Sequence, residues 1–576
     1  MLFKTRRYGL MKYLSVFFTI INIIISVYIG FFAFDKGTME EFYIKGIFYF
    51  LYINLLLAVF ALIRSENKSF EWIKSYFKRH CTALLVAVIL TSLGAFVSKP
   101  DFRILADETN LLAMSESLYE ERQCKNYTSI LYYYFGFKDV ISYVNDKRPA
   151  LFPLTVSFSH SLLGYRPENI FLVNLISGFI SFMLLYHLIN KKFGQFWGIC
   201  GMMILAAHPL FIIYMTSGGF ETFNLMFSLI IFWYLIKFID SPSAVSAEVL
   251  LLLLPLFGQT RYESVVAVFT VIPVVFMCLP KVEYFKFSYK LPLIPLFFVP
   301  IAWLRQVSDN ARAWQVDSIE DSFNFEWFIT NTKRAFIFFF SENRNFGIIP
   351  VVSGLAVFGF VFLIFDVYGK GNKEKAPKLF WSSVLLFYLL HAVARFTYSM
   401  CDLTSASITR LGMIFLPIIV YLALSFLVRC QKWFCIRRVY VVVGIMTLFA
   451  LYWPACGLTA GVRDLILYRE FRASREFLED NFPRKNDYIV VADRSNMYVP
   501  LEYSTISFKY LQEHTDKVIS NLKCKTYSYL ILIQMIDRKT NKPTKACIIP
   551  KEFKPETLYE YQISIDHFLR ISRWKL

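Results

Sequence analysis

The sequence predicts a polytopic α-helical membrane protein. It has about thirteen transmembrane helices, interfacial helices in its first large outer loop, and a small C-terminal α/β domain outside the membrane. Three observations predict this. Of 576 residues, 56% are hydrophobic and only 18% charged, too few charges for a soluble chain of that length. Apolar runs long enough to cross a bilayer recur from Tyr13 to Leu458. Lys and Arg return in the alternate short links between those runs, as the positive-inside rule requires. The net charge of +18 is therefore distributed over membrane-flanking loops, which argues against nucleic acid as a partner and for the lipid bilayer.

The first run, Tyr13–Ala33, follows Lys4, Arg6, Arg7 and Lys12. It is too long for a signal-peptide core and lacks a small-residue cleavage site, so it reads as a retained span with the N-terminus cytoplasmic. Spans follow at about 44–63 and 82–98, and the basic link Arg64–His80 between them lies inside. The stretch 99–165 is then outside. Within it Leu105, Leu112 and Tyr119 recur at sevens beside Leu111 and Leu118, the pattern of an amphipathic helix lying in the interface. The apolar segment Ala150–Gly164 is short for a crossing and reads as a second interfacial or re-entrant helix.

Further spans are expected at about 168–190, 196–214, 219–239, 246–258, 263–280, 291–304, 346–366, 379–398, 409–428 and 438–458. The inner links carry Lys191–Lys192, Lys281–Lys290, Lys370–Lys378 and Arg429–Arg438. After Pro454 the composition turns polar. YIVVAD over 487–493 and YSYLILIQMID over 527–537 read as buried strands, Ser507–Leu522 as a helix between them, and Ala546–Pro550 as a third strand. Cys524 and Cys547 fall in this domain, where a disulfide is open if the compartment oxidises. The ten cysteines show no CxxC and no zinc-like spacing. The chain thus divides into N-terminal spans 1–81, a membrane module 82–304, an outer loop 305–345, spans 346–458 and an extracytoplasmic domain 459–576.

The polar residues that could carry chemistry gather at outer mouths. Asp107 and Glu108 stand shortly after a membrane exit. They are either a general base with an orienting neighbour or the acidic first turn of a helix. Lys147 and Arg148, before Pro149, either bind a lipid phosphate or snorkel at the interface. Glu221, in TSGGFETFN, is a carboxylate at a membrane boundary, a costly position that marks a functional candidate. Arg261 and Glu263, at the tip Gln259-Thr260-Arg261-Tyr262-Glu263, either pair with each other or offer Arg261 to a phosphate. Arg410 opens a later span from the same side. His160 and His208 have no metal-spaced partner and read as structural.

The order and spacing of these motifs resemble the membrane glycosyltransferases of the C-type fold that use a polyprenyl-phosphate sugar donor. The likeness is to protein O-mannosyltransferases and to transferases that add aminoarabinose to lipid A. Asp107-Glu108 in ADETNLL matches their acidic pair in the first outer loop. Arg148-Pro149-Ala150-Leu151 matches a basic-Pro-Pro-Leu stretch, with Ala150 in place of the second Pro; Glu221 and Thr260–Glu263 match further outer features. Two spans precede the loop-bearing span, where the family core usually has one.

What the resemblance implies is a glycosyltransferase that moves a sugar to an acceptor hydroxyl on a lipid, glycan or protein at the outer face, with inversion. The implied catalytic residues are Asp107, Glu108 and Glu221. Lys147, Arg148 and Arg261 hold the donor phosphate. No metal and no cofactor beyond the lipid-phosphate sugar is expected. The expected location is a bacterial inner membrane. The alternatives are a transporter or flippase of lipid-linked sugars, which would show inverted repeats and polar residues at mid-membrane, and a polymerase or ligase of lipid-linked glycans.

Overall fold

The computed structural model describes residues 2–66, 70–133, 137–279, 291–308, 323–341, 349–369, 374–405, 407–435, 437–458, 466–550 and 552–576. The chain forms two compact units. The first comprises Met1–Asp101, Lys147–Phe152 and Phe171–Thr459, and the second Phe102–Asp146, Pro153–Ile170 and Ala460–Leu576.

The first unit is helical and is that of an integral membrane protein. Among the described residues seven helices are long and apolar enough to span: Lys36–Ser65, Ser75–Val97, Asn169–Phe193, Glu221–Asp240, Pro350–Tyr368, Lys375–Phe396 and Thr409–Trp433. An eighth is the pair Gln195–Ala207 and Pro209–Met215, bent by 77°. The bend falls where His208 takes an extended conformation and Pro209, which has no N–H to donate, starts the second helix. The spans expected at 13–33 and 438–458 fall on the helices Leu2–Phe31 and Arg438–Leu458, and those expected at 246–258, 263–280 and 291–304 on shorter apolar helices. Proline accounts for much of the shortening. Pro255 and Pro273 lie inside two of these helices, and Pro295 sits in the 3-10 turn Leu291–Phe298. Among the described residues seven helices, or eight with the bent pair, are long and apolar enough to cross.

Packing within this unit depends on small residues as well as apolar ones. Helix Pro350–Tyr368 packs against the helix Leu416–Trp433. At Gly359 an added Cβ would run into the Leu422 backbone, so only glycine allows so close an approach. Large apolar side chains such as Phe60, Leu85, Phe96 and Phe365 are exposed, as lipid-facing positions are.

The second unit is built on one sheet. Its strands are β1 (Asn126–Tyr132), β2 (Lys138–Val144), β3 (Tyr488–Ala492), β4 (Thr505–Ile506), β5 (Tyr529–Asp537), β6 (Lys542–Pro543), β7 (Glu556–Gln562) and β8 (His567–Trp574). The order is β2-β1-β4-β3-β5-β8-β7, with β6 on β5. β3 runs parallel to β4 and β5, while β1–β2, β1–β4, β5–β8 and β7–β8 are antiparallel. The continuous apolar runs of β3 and β5 are where the sequence places them, because strands buried on both faces need no polar alternation. Ile489, Val491, Leu530 and Leu532 pack with Phe508, Leu511, Val518 and Leu522 from the helices Phe508–Glu513 and Thr515–Lys523.

Three expectations change here. The helix expected at Ser507–Leu522 is two short ones, broken at His514. The strand expected at 546–550 is a 3-10 turn, Lys545–Cys547, and the third long strand pair is the hairpin β7–β8. Cys524 is exposed and Cys547 buried, and both are free thiols.

The stretch 99–165 also differs from its expectation. The helix predicted to lie in the interface is Asp107–Glu120, but its polar side is covered as well as its apolar one: Glu108, Ser115, Glu116 and Ser117 are all buried. β1 and the 3-10 turns Ser495–Met497 and Val499–Leu501 pack on it. A polar face of this kind needs protein partners, and it has them. Asn110 bonds Asn496 at 2.8 Å, and the Tyr165 hydroxyl donates to the Pro500 carbonyl at 2.8 Å. Residues 102–146 and 153–170 thus share one unit with the C-terminal segment.

Candidate active site

In the first unit the candidate residues converge on the tip at 259–264. The segment after Arg148 docks there through its backbone. The Leu151 N–H donates to the Gln259 carbonyl at 3.2 Å, and the Ala150 N–H to Gln259 Oε1 at 3.5 Å. Pro149 and Ala150 are buried, while Lys147 and Arg148 are half-buried. The start of helix Glu221–Asp240 is held to the same tip. Asn224 Nδ2 donates to Thr260 Oγ1 at 2.9 Å and to Ser264 Oγ at 2.6 Å. The turn before it is fixed by Asn174, whose Nδ2 donates to the Ser217 carbonyl at 2.6 Å and to the Gly219 carbonyl at 2.5 Å.

These anchors place a chain of buried charges. Arg261 Nη1 meets Glu221 Oε1 at 3.0 Å and its Nε meets Glu263 Oε1 at 3.0 Å. Arg261 also lies over the Phe220 ring at 4.7 Å. Arg410 Nε approaches Glu221 at 3.4 Å, and Arg395 Nη2 approaches Glu263 at 3.3 Å. Three guanidinium groups thus face two carboxylates, and the excess is positive. Arg261 pairs with Glu263, as one of its two sequence readings has it, and with Glu221 as well.

A cavity of about 340 Å³ opens beside this chain. Its wall includes Lys147, Pro149, Arg261, Glu263, Arg305 and Arg395, with apolar cover from Val265, Ile301, Leu304 and Leu411. Arg148 is not on that wall; its charge is felt at the neighbouring Tyr262 hydroxyl. Mixed apolar walls with converging cations fit an amphiphile whose head is anionic.

Asp107 and Glu108 belong to the second unit. Glu108 is fully buried. Its carboxylate accepts from the Arg103 N–H at 2.8 Å and the Ile104 N–H at 3.2 Å, which ties the loop to the helix it precedes. Asp107, on the next position back, is only half-buried. Ala106, at the helix start, has φ of 71°, a conformation an L side chain rarely adopts. Backbone strain held by surrounding structure is common at functional positions. The pair is therefore split in role: Glu108 is satisfied by backbone donors, and Asp107 keeps partial access to solvent.

A little over two turns further along the helix is a group that the sequence reading did not single out. Glu116 is buried and meets Lys138 at 2.6 Å, the Tyr132 hydroxyl at 3.3 Å and the Tyr165 hydroxyl at 3.4 Å. Burial pushes its carboxyl up to about 7, against the opposing pull of Lys138. Arg395 was missed as well. Its signal is an Arg at the end of an apolar run, a costly placement of the kind that drew attention to Glu221. Among the described residues no group of three His, Cys, Asp or Glu side chains is placed to hold a metal ion.

Residues 147–303 match the family model of dolichyl-phosphate-mannose-protein mannosyltransferases. Among curated protein sequences none matches the chain. Among solved structures it resembles ArnT from Cupriavidus metallidurans in the apo state, with 11% identity, 86% of this chain and 98% of that chain covered, and a TM-score of 0.48. The same protein bound to undecaprenyl phosphate gives 10% identity, the same coverage and a TM-score of 0.46. The archaeal oligosaccharyltransferase AglB from Archaeoglobus fulgidus, in complex with an inhibitory peptide and a dolichol-phosphate, gives 11% identity, 79% and 70% coverage and a TM-score of 0.42. The matched segment contains the Arg148-Pro149-Ala150-Leu151 and Thr260–Glu263 motifs and the Glu221–Arg261 pair, and through it the chain is a membrane glycosyltransferase, as the resemblance implies.

Proposed function

We propose that the protein transfers a sugar from a polyprenyl-phosphate-linked donor to an acceptor hydroxyl on the outer face of a bacterial inner membrane, with inversion at the anomeric carbon. The observation that carries this reading is the cation-rich cavity within and beside the matched segment. Lys147 and Arg261 hold the donor phosphate there, with Arg148 close by. Glu221 holds Arg261 in place at 3.0 Å. Asp107 is taken as the base on the resemblance alone, and Glu108 shapes the loop that presents it. The acceptor oxygen gives its proton to the Asp107 carboxylate and attacks the anomeric carbon. The bond from that carbon to the phosphate oxygen breaks, and polyprenyl phosphate leaves with the electron pair. Positioning and cationic stabilisation of the leaving group supply most of the rate. On the same resemblance no metal takes part.

The test compares lipid and glycan mass spectra of cells with wild-type protein, a deletion, and Asp107→Asn at normal protein level. Loss of one glycan decoration with accumulation of one polyprenyl-phosphate sugar, in both altered strains, supports the reading. Purified enzyme then transfers that sugar in the presence of EDTA. A wild-type profile from Asp107→Asn removes Asp107 from the chemistry, and an unchanged profile in the deletion strain removes the transfer itself.

A further inference from the structure

Arg395 is a cation on the cavity wall whose bonding among the described residues is incomplete. It closes the helix Lys375–Phe396 and is 4% exposed. One nitrogen, Nη2, meets Glu263 at 3.3 Å. Its Nε and Nη1 are buried and have no hydrogen-bond partner among the described residues. One helical turn earlier, His391 is also fully buried, with both ring nitrogens unpartnered, and it faces the same Glu263. Glu263 Oε2 is unpartnered too.

Buried donors are ordinarily satisfied, and a guanidinium is costly to leave half-bonded inside protein. No carboxylate of the ion chain meets these two nitrogens as the side chains stand: Glu263 bonds Arg261 and Arg395 through Oε1, and its Oε2 accepts from neither. Glu221 is engaged by Arg261 and Arg410, and Glu263 already serves both Arg261 and Arg395. The unmet donors therefore call for an acceptor from outside the chain. The cavity that Arg395 lines has Lys147, Arg261 and Arg305 on its wall against Glu263 alone, so an anion fits and a neutral occupant does not. A guanidinium is a permanent, weakly hydrated cation whose N–H groups make strong charge-assisted bonds to phosphate oxygens.

We propose that Arg395 is a phosphate-binding residue of this cavity, its guanidinium donating to a phosphate oxygen beside Lys147 and Arg261. That the phosphate is carried by a prenyl lipid rests on the transferase reading above. In that setting Arg395 grips the phosphate both in the donor and in the leaving group. Glu263 sets the orientation of two phosphate-binding arginines at once, and its substitution disturbs both.

The test uses the full chain in lipid nanodiscs, with geranyl phosphate, geraniol and inorganic phosphate as probes. The variants are Arg395→Gln and Arg395→Lys. Arg395→Gln weakens geranyl phosphate binding at least tenfold and leaves geraniol binding unchanged. Arg395→Lys, which keeps the charge but not the planar guanidinium, falls severalfold short of the wild type and serves alone if the Gln variant does not fold. Geranyl phosphate bound equally by wild type and by these variants overturns the proposal and leaves the transferase reading standing. An equal loss of geraniol and geranyl phosphate overturns it too, since the residue then only maintains the cavity. If inorganic phosphate binds through Arg395 but geranyl phosphate does not bind at all, the anion site stands and the lipid donor falls.

Discussion

The chain of charges through Arg261 makes a prediction that separates a working buried network from incidental pairing. Arg261 stands 3.0 Å from an oxygen of each of two carboxylates, and its side chain is 8% exposed. At an effective dielectric constant of about 20 and a charge separation of about 4 Å, each attraction is worth about 4 kcal/mol. Repulsion from Arg395 and Arg410 and the desolvation of all five groups offset much of that sum. Arg261→Met leaves Glu221 and Glu263 buried with one guanidinium apiece, at 3.4 and 3.3 Å, so neither carboxylate is abandoned. The expected loss is therefore near the lower end for a broken buried pair, about 3 kcal/mol. Glu221→Gln costs less. The double variant is more stable than the sum of the singles predicts, by about 1–3 kcal/mol. The assay is a double-mutant cycle from SDS-induced unfolding of detergent-purified protein. Effects additive to within about 0.5 kcal/mol would refute the reasoning, because uncoupled residues behave that way.

Two further predictions concern the second unit. Glu116 has its carboxyl raised from 4.5 to about 7 by burial, so the fold favours the protonated form. Stability from this group is fully present below its unfolded value near 4.5 and is lost as pH rises through about 7, a change of roughly 3 kcal/mol. Glu116→Gln flattens that slope and raises the melting temperature at pH 8; a variant with an unchanged slope between pH 5 and 8 contradicts the assignment. Ala106→Gly removes the side chain from a residue at φ of 71° and stabilises the protein by about 1 kcal/mol. Destabilisation by a similar amount in the same unfolding assay would show that the backbone there is unstrained.

What the sequence made legible follows from how local each signal is. β3 and β5 could be read because YIVVA and YLILIQMID are apolar without interruption. β7 and β8 could not, because ETLYEYQ and HFLRISRW carry charges at the solvent positions of a hairpin and look like surface loop. β1 was hidden for a different reason: beyond its local pairing with β2, the neighbour that joins it to the sheet is β4, which is only two residues long and lies far away in the chain. Asp107, Glu108, Lys147, Arg148, Glu221 and Arg261 stood out as charges at the edges of apolar runs. Their partners did not, since pairing Glu221 with Arg261 or Glu263 with Arg395 depends on which helices are neighbours. The short helices that contain Pro255, Pro273 and Pro295 read as full crossings in the sequence because hydropathy registers composition and not hydrogen-bonding capacity.

The sheet of the second unit also imposes an order of events on synthesis. The Tyr132 N–H donates to Ser504 Oγ across 372 residues of chain, and Ser495 Oγ closes on the Thr128 carbonyl in the same way. At about 5–20 residues per second, roughly 20–70 s separate the making of the two halves. Throughout that interval β1 has an open edge, and the helix bearing Asp107 lacks the cover that buries its polar face. A ribosome that stops before residue 505 therefore releases a membrane-inserted chain with its acidic loop unfinished. Quality control that recognises unpaired strands has a long window in which to act, and full assembly of that loop reports that translation has passed β4.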